Sequence, residues 1–351
     1  MKSVLLDRPK AVAKDETSVT PWHFGDPLRE QRQLATSGAV VDRSNRAIIK
    51  ISGPDRLSWL HTLTSQHLEN LGDNYGTQML FLSPNGHIEH HVNVFNSDAH
   101  GTLWLDTEPE TADELHDFLA KMKFFSDVTI ENVTQDWALL TYTHDAALSE
   151  PEILPVPGAK FAQGELPKHP SSLYAGTTTP EGGFSRRTDA LGVATVDRLV
   201  PRGSVDTAVE ELPVADIAGS WAYDVVRVHA RSPQKGVDTD HKTIPHEIPE
   251  WLSAAVHLDK GCYRGQETVA RVHNLGKPPR KLVKLQLDGS QEQAPQPGTD
   301  VVHNGKVVGR IGTAGRHYEE GMIALALLRR NAAEREGASF DVADSTAVVD
   351  D

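Results

Sequence analysis

The stretch 47-AIIKISGPDRLSWLHTLTSQHLENLGDNYGTQMLFLSPNGHIEHHVNVF-95 changes its periodicity twice, and those changes decide the fold. Its first residues are apolar and largely β-branched around Lys50, which reads as a strand. Pro54 then stands where a first helical residue is tolerated, and Leu57 and Leu60 fall on one helical face. Beyond Gly76, two runs with strand-like apolar content flank Ser83-Pro84-Asn85-Gly86, a hairpin signal. Further on, Leu103 to Leu105 reads as another strand. Leu115, Phe118, Leu119 and Met122 then recur at helical offsets behind Thr111 and Glu114, which have capping-box spacing. Residues 54–133 therefore read as helix, two strands, strand, helix, strand, an α+β sandwich of ferredoxin-like type.

Outside this core the texture differs. The first 35 residues form a polar arm with an anchored patch at PWHFGDPLREQR. Pro151 to Glu181 is rich in Pro, Gly, Ser and Thr and reads as loop. ALGVATVDRLVP suggests an extended strand pair, and ELPVADIAGSWAYDVVRVHA a helix. From Lys281 onward short strand patterns alternate with turn glycines, and His303-Asn304-Gly305-Lys306 fits a type I′ hairpin, which predicts a small terminal β-barrel or sandwich. The partition expected is an arm at 1–35, a first α+β domain from 36–53 plus 134–275, the ferredoxin-like domain at 54–133, and a barrel domain at 276–351.

Composition excludes several classes of function. With 38% hydrophobic and 24% charged residues in 351, the chain has a globular composition. A formal net charge of -14 opposes a polyanion, so general nucleic-acid binding is not expected. No apolar run approaches the ~20 residues of a membrane span, and the N-terminus lacks a secretory core. One cysteine excludes an internal disulfide framework and fits a reducing compartment, so the cytoplasm is the expected location.

That cysteine lies in Asp259–Arg271, DKGCYRGQETVAR. Lys260 and Arg264 stand two residues either side of Cys262; in an extended segment they would share its face and favour the reactive thiolate. Gly261 and Gly265 permit a tight turn, and Gln266 and Glu267 add an amide and a carboxylate. A free cysteine is as readily a small buried hydrophobe, so on the residues alone both roles stay open. His87, Glu89 and His91 share one strand face with donors that suit zinc or iron, but strand ligands so close need others from elsewhere, and no metal is assigned. Asp224 and Arg227, three apart, fit either an intrahelical pair or a ligand site. The basic run Lys260, Arg264, Arg271, Lys277, Arg280, Lys281 and Lys284 fits a solvated face or a counter-charge for an acidic ligand.

KGCYRGQE, Lys260 to Glu267, matches all eight positions of K-G-C-[FYW]-x-G-Q-E and resembles the YgfZ family, folate-binding relatives of the glycine-cleavage T-protein (GcvT, aminomethyltransferase). HFGDPLREQR, GPDRLSWLHTLTSQ, LSPNGHIEHHV, YDVVRV, GVD before TIPHE, and VARVHNLGKPPRKLV extend the resemblance over residues 24–330. It implies three domains in a ring around a central cavity for tetrahydrofolate or a one-carbon derivative. It also implies a role in assembling or repairing iron–sulfur clusters, and through them in tRNA modification, with iron–sulfur proteins as clients. Cys262 and Lys260 are then the implied working residues, and Asp224, Arg227, Tyr263, Gln266, Glu267, Arg271 and Glu89 the implied folate contacts. The T-protein hairpin carries an Asp pair, and the aligned residues here read as Glu89 and His90. That departure weighs against the alternative, a folate-dependent aminomethyltransferase. An iron–sulfur scaffold is opposed by the cysteine count, since clusters usually take four Cys ligands.

Overall fold

The computed structural model describes residues 2–143 and 173–350. In chain order these form α1 (Pro27–Thr36), β1 (Val40–Asp42), β2 (Ala47–Ser52), α2 (Arg56–Leu63), β3 (Tyr75–Leu82), β4 (Ile88–Ser97), β5 (Thr102–Thr107), α3 (Ala112–Lys121), β6 (Thr129–Asn132) and β7 (Trp137–Thr143). Then follow β8 (Gly176–Thr178), β9 (Phe184–Thr188), β10 (Thr195–Pro201), α4 (Val205–Glu210), β11 (Ile217–Ala218), α5 (Ser220–His229), α6 (Pro249–Ala255) and α7 (Gln266–Leu275). The last portion contains β12 (Arg280–Leu287), β13 (Asp300–His303), β14 (Lys306–His317), β15 (Gly321–Arg329), α8 (Arg330–Ala333), β16 (Ser339–Val342) and β17 (Ser345–Asp350). The loop expected at Pro151–Glu181 lies outside the described residues as far as 172, and its end carries β8.

Three sheets organise the described residues. The first has order β11-β1-β7-β10-β9-β8, the second β3-β4-β5-β2-β6, and the third closes as a six-stranded barrel, β12-β15-β14-β13-β16-β17. The second sheet corrects one expected boundary, because β2 pairs with β5 and β6 instead of joining the first domain. The reason is burial on both faces. Ile49 and Ile51 enter the core under α2 and α3 with Trp59, Leu115 and Leu119. Ile48 points the other way, into an inter-sheet cluster with Phe95, Trp104, Leu139 and Phe184. A strand buried on both sides is apolar on both, as AIIKIS is at Ala47 to Ile49 and Ile51, with only Lys50 and Ser52 part-buried.

Helix ends were less legible. α2 begins at Arg56 behind Asp55, so Pro54 precedes the helix. Thr111 is the N-cap of α3, but its hydroxyl makes no cap bond and is buried without a partner, so no capping box forms. The arm is not wholly irregular either, since α1 starts on Asp26, whose carboxylate accepts from the Arg29 amide. In the barrel, Asn304 and Gly305 both have positive φ, 51° and 73°, the backbone a type I′ turn demands. Among the described residues no helix is long and apolar enough to cross a membrane.

Candidate functional site

Where the first and second sheets meet α5 and α6 there is a cavity of about 470 Å³, within the range of small-ligand sites. Its wall takes Arg43 after β1, Gln78 and His91 from the second sheet, Tyr223, Asp224 and Arg227 from α5, and Trp251 from α6. The barrel supplies no wall residue among those described; it backs α5 from behind, with Thr313 on Arg227 and the Thr313 amide on Asp238.

Arg227 is the hub of this wall. Its five N–H groups meet five acceptors: Nε bonds Asp224 at 3.0 Å, one terminal nitrogen bonds Asp238 at 2.8 Å and the Ser232 carbonyl at 3.1 Å, and the other bonds Gln234 at 3.1 Å and the Thr313 hydroxyl. Burial opposes its charge, and Asp238 and Asp224 more than offset that, holding the guanidinium's pKa above its usual value. With no donor to spare, Arg227 positions Asp224 instead of touching a ligand. Asp224 keeps a side chain 44% exposed, with one oxygen on Arg227. Gln234 extends the hub to Glu108 at 3.0 Å, and Glu108 pairs with Arg46 at 2.5 Å.

Behind that wall runs a buried ion network that stitches the first sheet to the second. Arg46 meets Asp106 at 2.8 Å, Asp106 meets Arg186 at 2.5 Å, and Arg186 meets Asp197 at 2.9 Å. Burial would raise the Asp106 pKa, but Arg186 and Arg46 hold it well below the carboxylate range. Four residues spread from 46 to 197 carry no shared spacing. Their only sequence signal is charge inside otherwise apolar strand segments such as TLWLDT and TVDRLV.

The KGCYRGQE loop lies elsewhere. Lys260 is buried, and its Nζ donates to the carbonyls of His61 at 2.5 Å, Thr64 at 2.6 Å and Gln66 at 2.9 Å. These are carbonyls at and just beyond the C-terminus of α2, which a helix leaves unpaired. Burial brings the ammonium's pKa down to about 8. The expectation that Lys260 flanks the sulfur as a working cation is therefore corrected: the segment turns, and Lys260 points inward as a clamp. Arg264 is also committed, to Glu89 at 2.9 Å. Cys262 itself is exposed.

Of the implied folate contacts, Asp224 and Arg227 line the cavity, whereas Tyr263, Gln266, Glu267, Arg271 and Glu89 do not. Tyr263 is buried in the core beneath α6 and the barrel. Gln266 donates to the Lys260 carbonyl at 3.3 Å, and Glu267 pairs with Arg271 on the exposed side of α7. Arg280 and Lys284, from the basic run, are held by Asp240 and Glu247 and by Glu320 and Asp350. The run is not a counter-charge facing the cavity. Gly265, at φ 81°, explains the motif's second glycine, because a Cβ there would lie 2.6 Å from the Ser83 carbonyl oxygen. A Cβ on Gly86 of the β3–β4 turn would lie 2.6 Å from the Thr268 side chain of α7, and one on Gly265 would lie 3.0 Å from the Gly86 Cα, so loop and hairpin pack tightly against each other.

The hairpin alignment also changes. Strand alternation sends His90 into the core beside Phe81, leaves Glu89 outside with Arg264, and puts His91 in the cavity wall. The HIEHH donors are thereby dispersed. Among the described residues, two other groups bring three metal-capable atoms within 4.8 Å, His61 with His67 and Glu69, and His229 with His317 and Glu320. In each, one imidazole Nδ1 already accepts a backbone N–H, from Leu68 or from Glu319 and Glu320.

Comparison with known proteins agrees with this architecture. Residues 280–350 match the CAF17, C-terminal beta-barrel domain. A putative chloroplastic transferase of Arabidopsis thaliana is 25% identical over 306 residues, 84% of this chain and 66% of that protein. An aminomethyltransferase of Thermotoga petrophila is 25% identical over 89% of this chain and 84% of its own length. A mitochondrial iron-sulfur cluster assembly factor IBA57 homolog of Dictyostelium discoideum is 27% identical over 68% of this chain and 60% of its own. The crystal structure of glycine cleavage system aminomethyltransferase T from Bartonella henselae superposes with a TM-score of 0.80 at 17% identity, over 98% of this chain and 94% of that one. Two sheets packed around a walled cavity and a closed terminal barrel thus give this chain the GcvT-like, aminomethyltransferase fold, ending in a CAF17-type β-barrel domain.

Proposed function

We propose that this protein binds a reduced folate, tetrahydrofolate or a one-carbon derivative, in the central cavity and serves iron–sulfur cluster assembly or repair, and through it tRNA modification. The observation that carries the folate half is the cavity wall: an acceptor carboxylate, Asp224, fixed by Arg227, with the aromatic residues Tyr223 and Trp251 lining the same cavity. This acceptor suits a ring rich in N–H groups, while Arg43, seated 4.1 Å over Tyr223, is the wall cation available for an acidic tail. Bound folate would supply a one-carbon carrier; the chain's own residues orient it and exclude water around it. The iron–sulfur half is supported by the relatives bearing that name and by an exposed Cys262 on a loop anchored at both ends.

Calorimetric titration with 5-formyltetrahydrofolate should show binding that Asp224→Asn weakens. Bound ligand at a hundredfold excess over Kd should stabilise the fold by about 2.7 kcal/mol. No heat and no thermal shift at millimolar ligand would defeat the folate half. Failure of Cys262→Ser to lower iron–sulfur enzyme activity in cells lacking the native gene would defeat the other half. The aminomethyltransferase reading draws on the Thermotoga relatives and is decided by turnover with the lipoyl carrier.

A further inference from the structure

His91 occupies the cavity wall in a fixed plane and, as its bonds require, in a fixed tautomer. Its ring stacks on Trp251 with centroids 4.3 Å apart and planes within 12°. Its Nε2 lies 2.7 Å from the Gln78 side-chain oxygen. Gln78 uses its nitrogen on the Tyr174 phenol oxygen at 2.5 Å, so its oxygen is the end facing the imidazole. A carbonyl oxygen only accepts, hence Nε2 carries the hydrogen and Nδ1 the lone pair. Nδ1 has no hydrogen-bond partner among the described residues, and protein atoms do not seal it off. It therefore opens on the cavity that His91 lines.

From this geometry we infer that His91 is the cavity's neutral hydrogen-bond acceptor, taking through Nδ1 an N–H of the ligand's heteroaromatic ring and so setting its orientation. The identity of that ring, a reduced pterin, rests on the folate reading above. The groups that face His91 are Arg46 and Arg186 on one side of the balance and Glu108 and Asp106 on the other. Burial first, and Arg46 next, lower its pKa to about 4. At pH 7 only about one ring in a thousand is then protonated, so the role is accepting a bond and not storing a proton.

The test is nitrogen-15 NMR of histidine-labelled protein, with His91 assigned by His91→Asn. Without ligand, His91 should read as the Nε2–H tautomer and stay neutral from pH 5.5 to 8. An Nδ1–H form, or titration near 6.5, overturns the assignment. Addition of 5-formyltetrahydrofolate should move the Nδ1 resonance, whereas p-aminobenzoylglutamate, which lacks the pterin, should not. Gln78→Leu, which leaves the Trp251 stack in place, should weaken folate binding roughly tenfold, the size of one hydrogen bond. Folate heat without any Nδ1 shift sinks this inference and spares the folate reading. No heat defeats the folate reading and, with it, a pterin on His91, while the ligand-free spectrum still decides the tautomer.

Discussion

Replacing Lys260 by Met separates a clamp from a working lysine. Met keeps the apolar stem and removes the ammonium, leaving the carbonyls of His61, Thr64 and Gln66 without their donor. A buried polar group left unpaired costs about 1–3 kcal/mol, and the bonds to Thr64 and Gln66 are buried while that to His61 is partly so. Release from the desolvation that brings the ammonium's pKa down to about 8 offsets part of this loss. A net cost of about 3 kcal/mol is expected, which for a chain of 351 residues, at ~2.1 cal/mol/K of unfolding entropy per residue, lowers Tm by roughly 4 °C. Differential scanning calorimetry at pH 7 reads it directly, and proteolysis should find its first new cut in the segment after α2. A Lys260→Met protein melting within about 1 °C of wild type, the ±0.5 kcal/mol of an ordinary surface change, would refute the clamp and return Lys260 to chemistry.

Three further outcomes follow from the site. Cys262→Ser should leave Tm within the ~0.5 kcal/mol of a surface substitution, and native protein should alkylate with iodoacetamide as fast as unfolded protein; protection until unfolding would contradict the exposed thiol. Asp240, against the effect of burial, is held well below the ordinary carboxylate range by Arg280 and Thr243, so its contribution is complete above the unfolded value near ~3.9 and is lost as pH falls through the folded one. Arg280→Gln should therefore narrow the gap in urea midpoint between pH 6 and pH 3, and an unchanged gap would show that the pair does not govern acid stability. Aminomethyl transfer to tetrahydrofolate with a lipoyl carrier should be undetectable, since the wall position on β4 is a neutral imidazole, and robust turnover would promote the enzyme reading.

Local chemistry made much of this legible. The hairpin at Ser83–Gly86, the Asn304-Gly305 turn and the closing barrel follow from turn residues and period-two patterning, which act over a few residues. The eight-residue loop motif pointed to the fold, and the glycine within it proved to be a contact requirement. What failed was side-chain direction. Two residues from a cysteine, a lysine can flank it or plunge beneath it, and only the distant end of α2 decides which. His91 and Glu89 share a strand face by spacing, yet one meets Trp251 and the other Arg264, residues more than 150 positions away. The ion network from Arg46 to Asp197 is likewise assembled from four separate segments. No pattern of period 2 or 3.6 encodes such meetings.

The two anchors of the thiol loop set how far the sulfur can travel. Lys260 is pinned to the end of α2, and Gly265 sits against the β3–β4 turn at a distance that admits no Cβ. Between them one residue, Gly261, separates Cys262 from Lys260, and two, Tyr263 and Arg264, separate it from Gly265. At ~3.3–3.6 Å per residue, its Cα stays within about 7 Å of Lys260 whatever the loop does. The thiol is thus a stationary landing point on the outer surface, and whatever reacts there must be carried to it. The same tether makes Gly86 and Gly265 remote determinants of the sulfur's location: a single methyl at either forces hairpin and helix apart and displaces the thiol while leaving its chemistry intact.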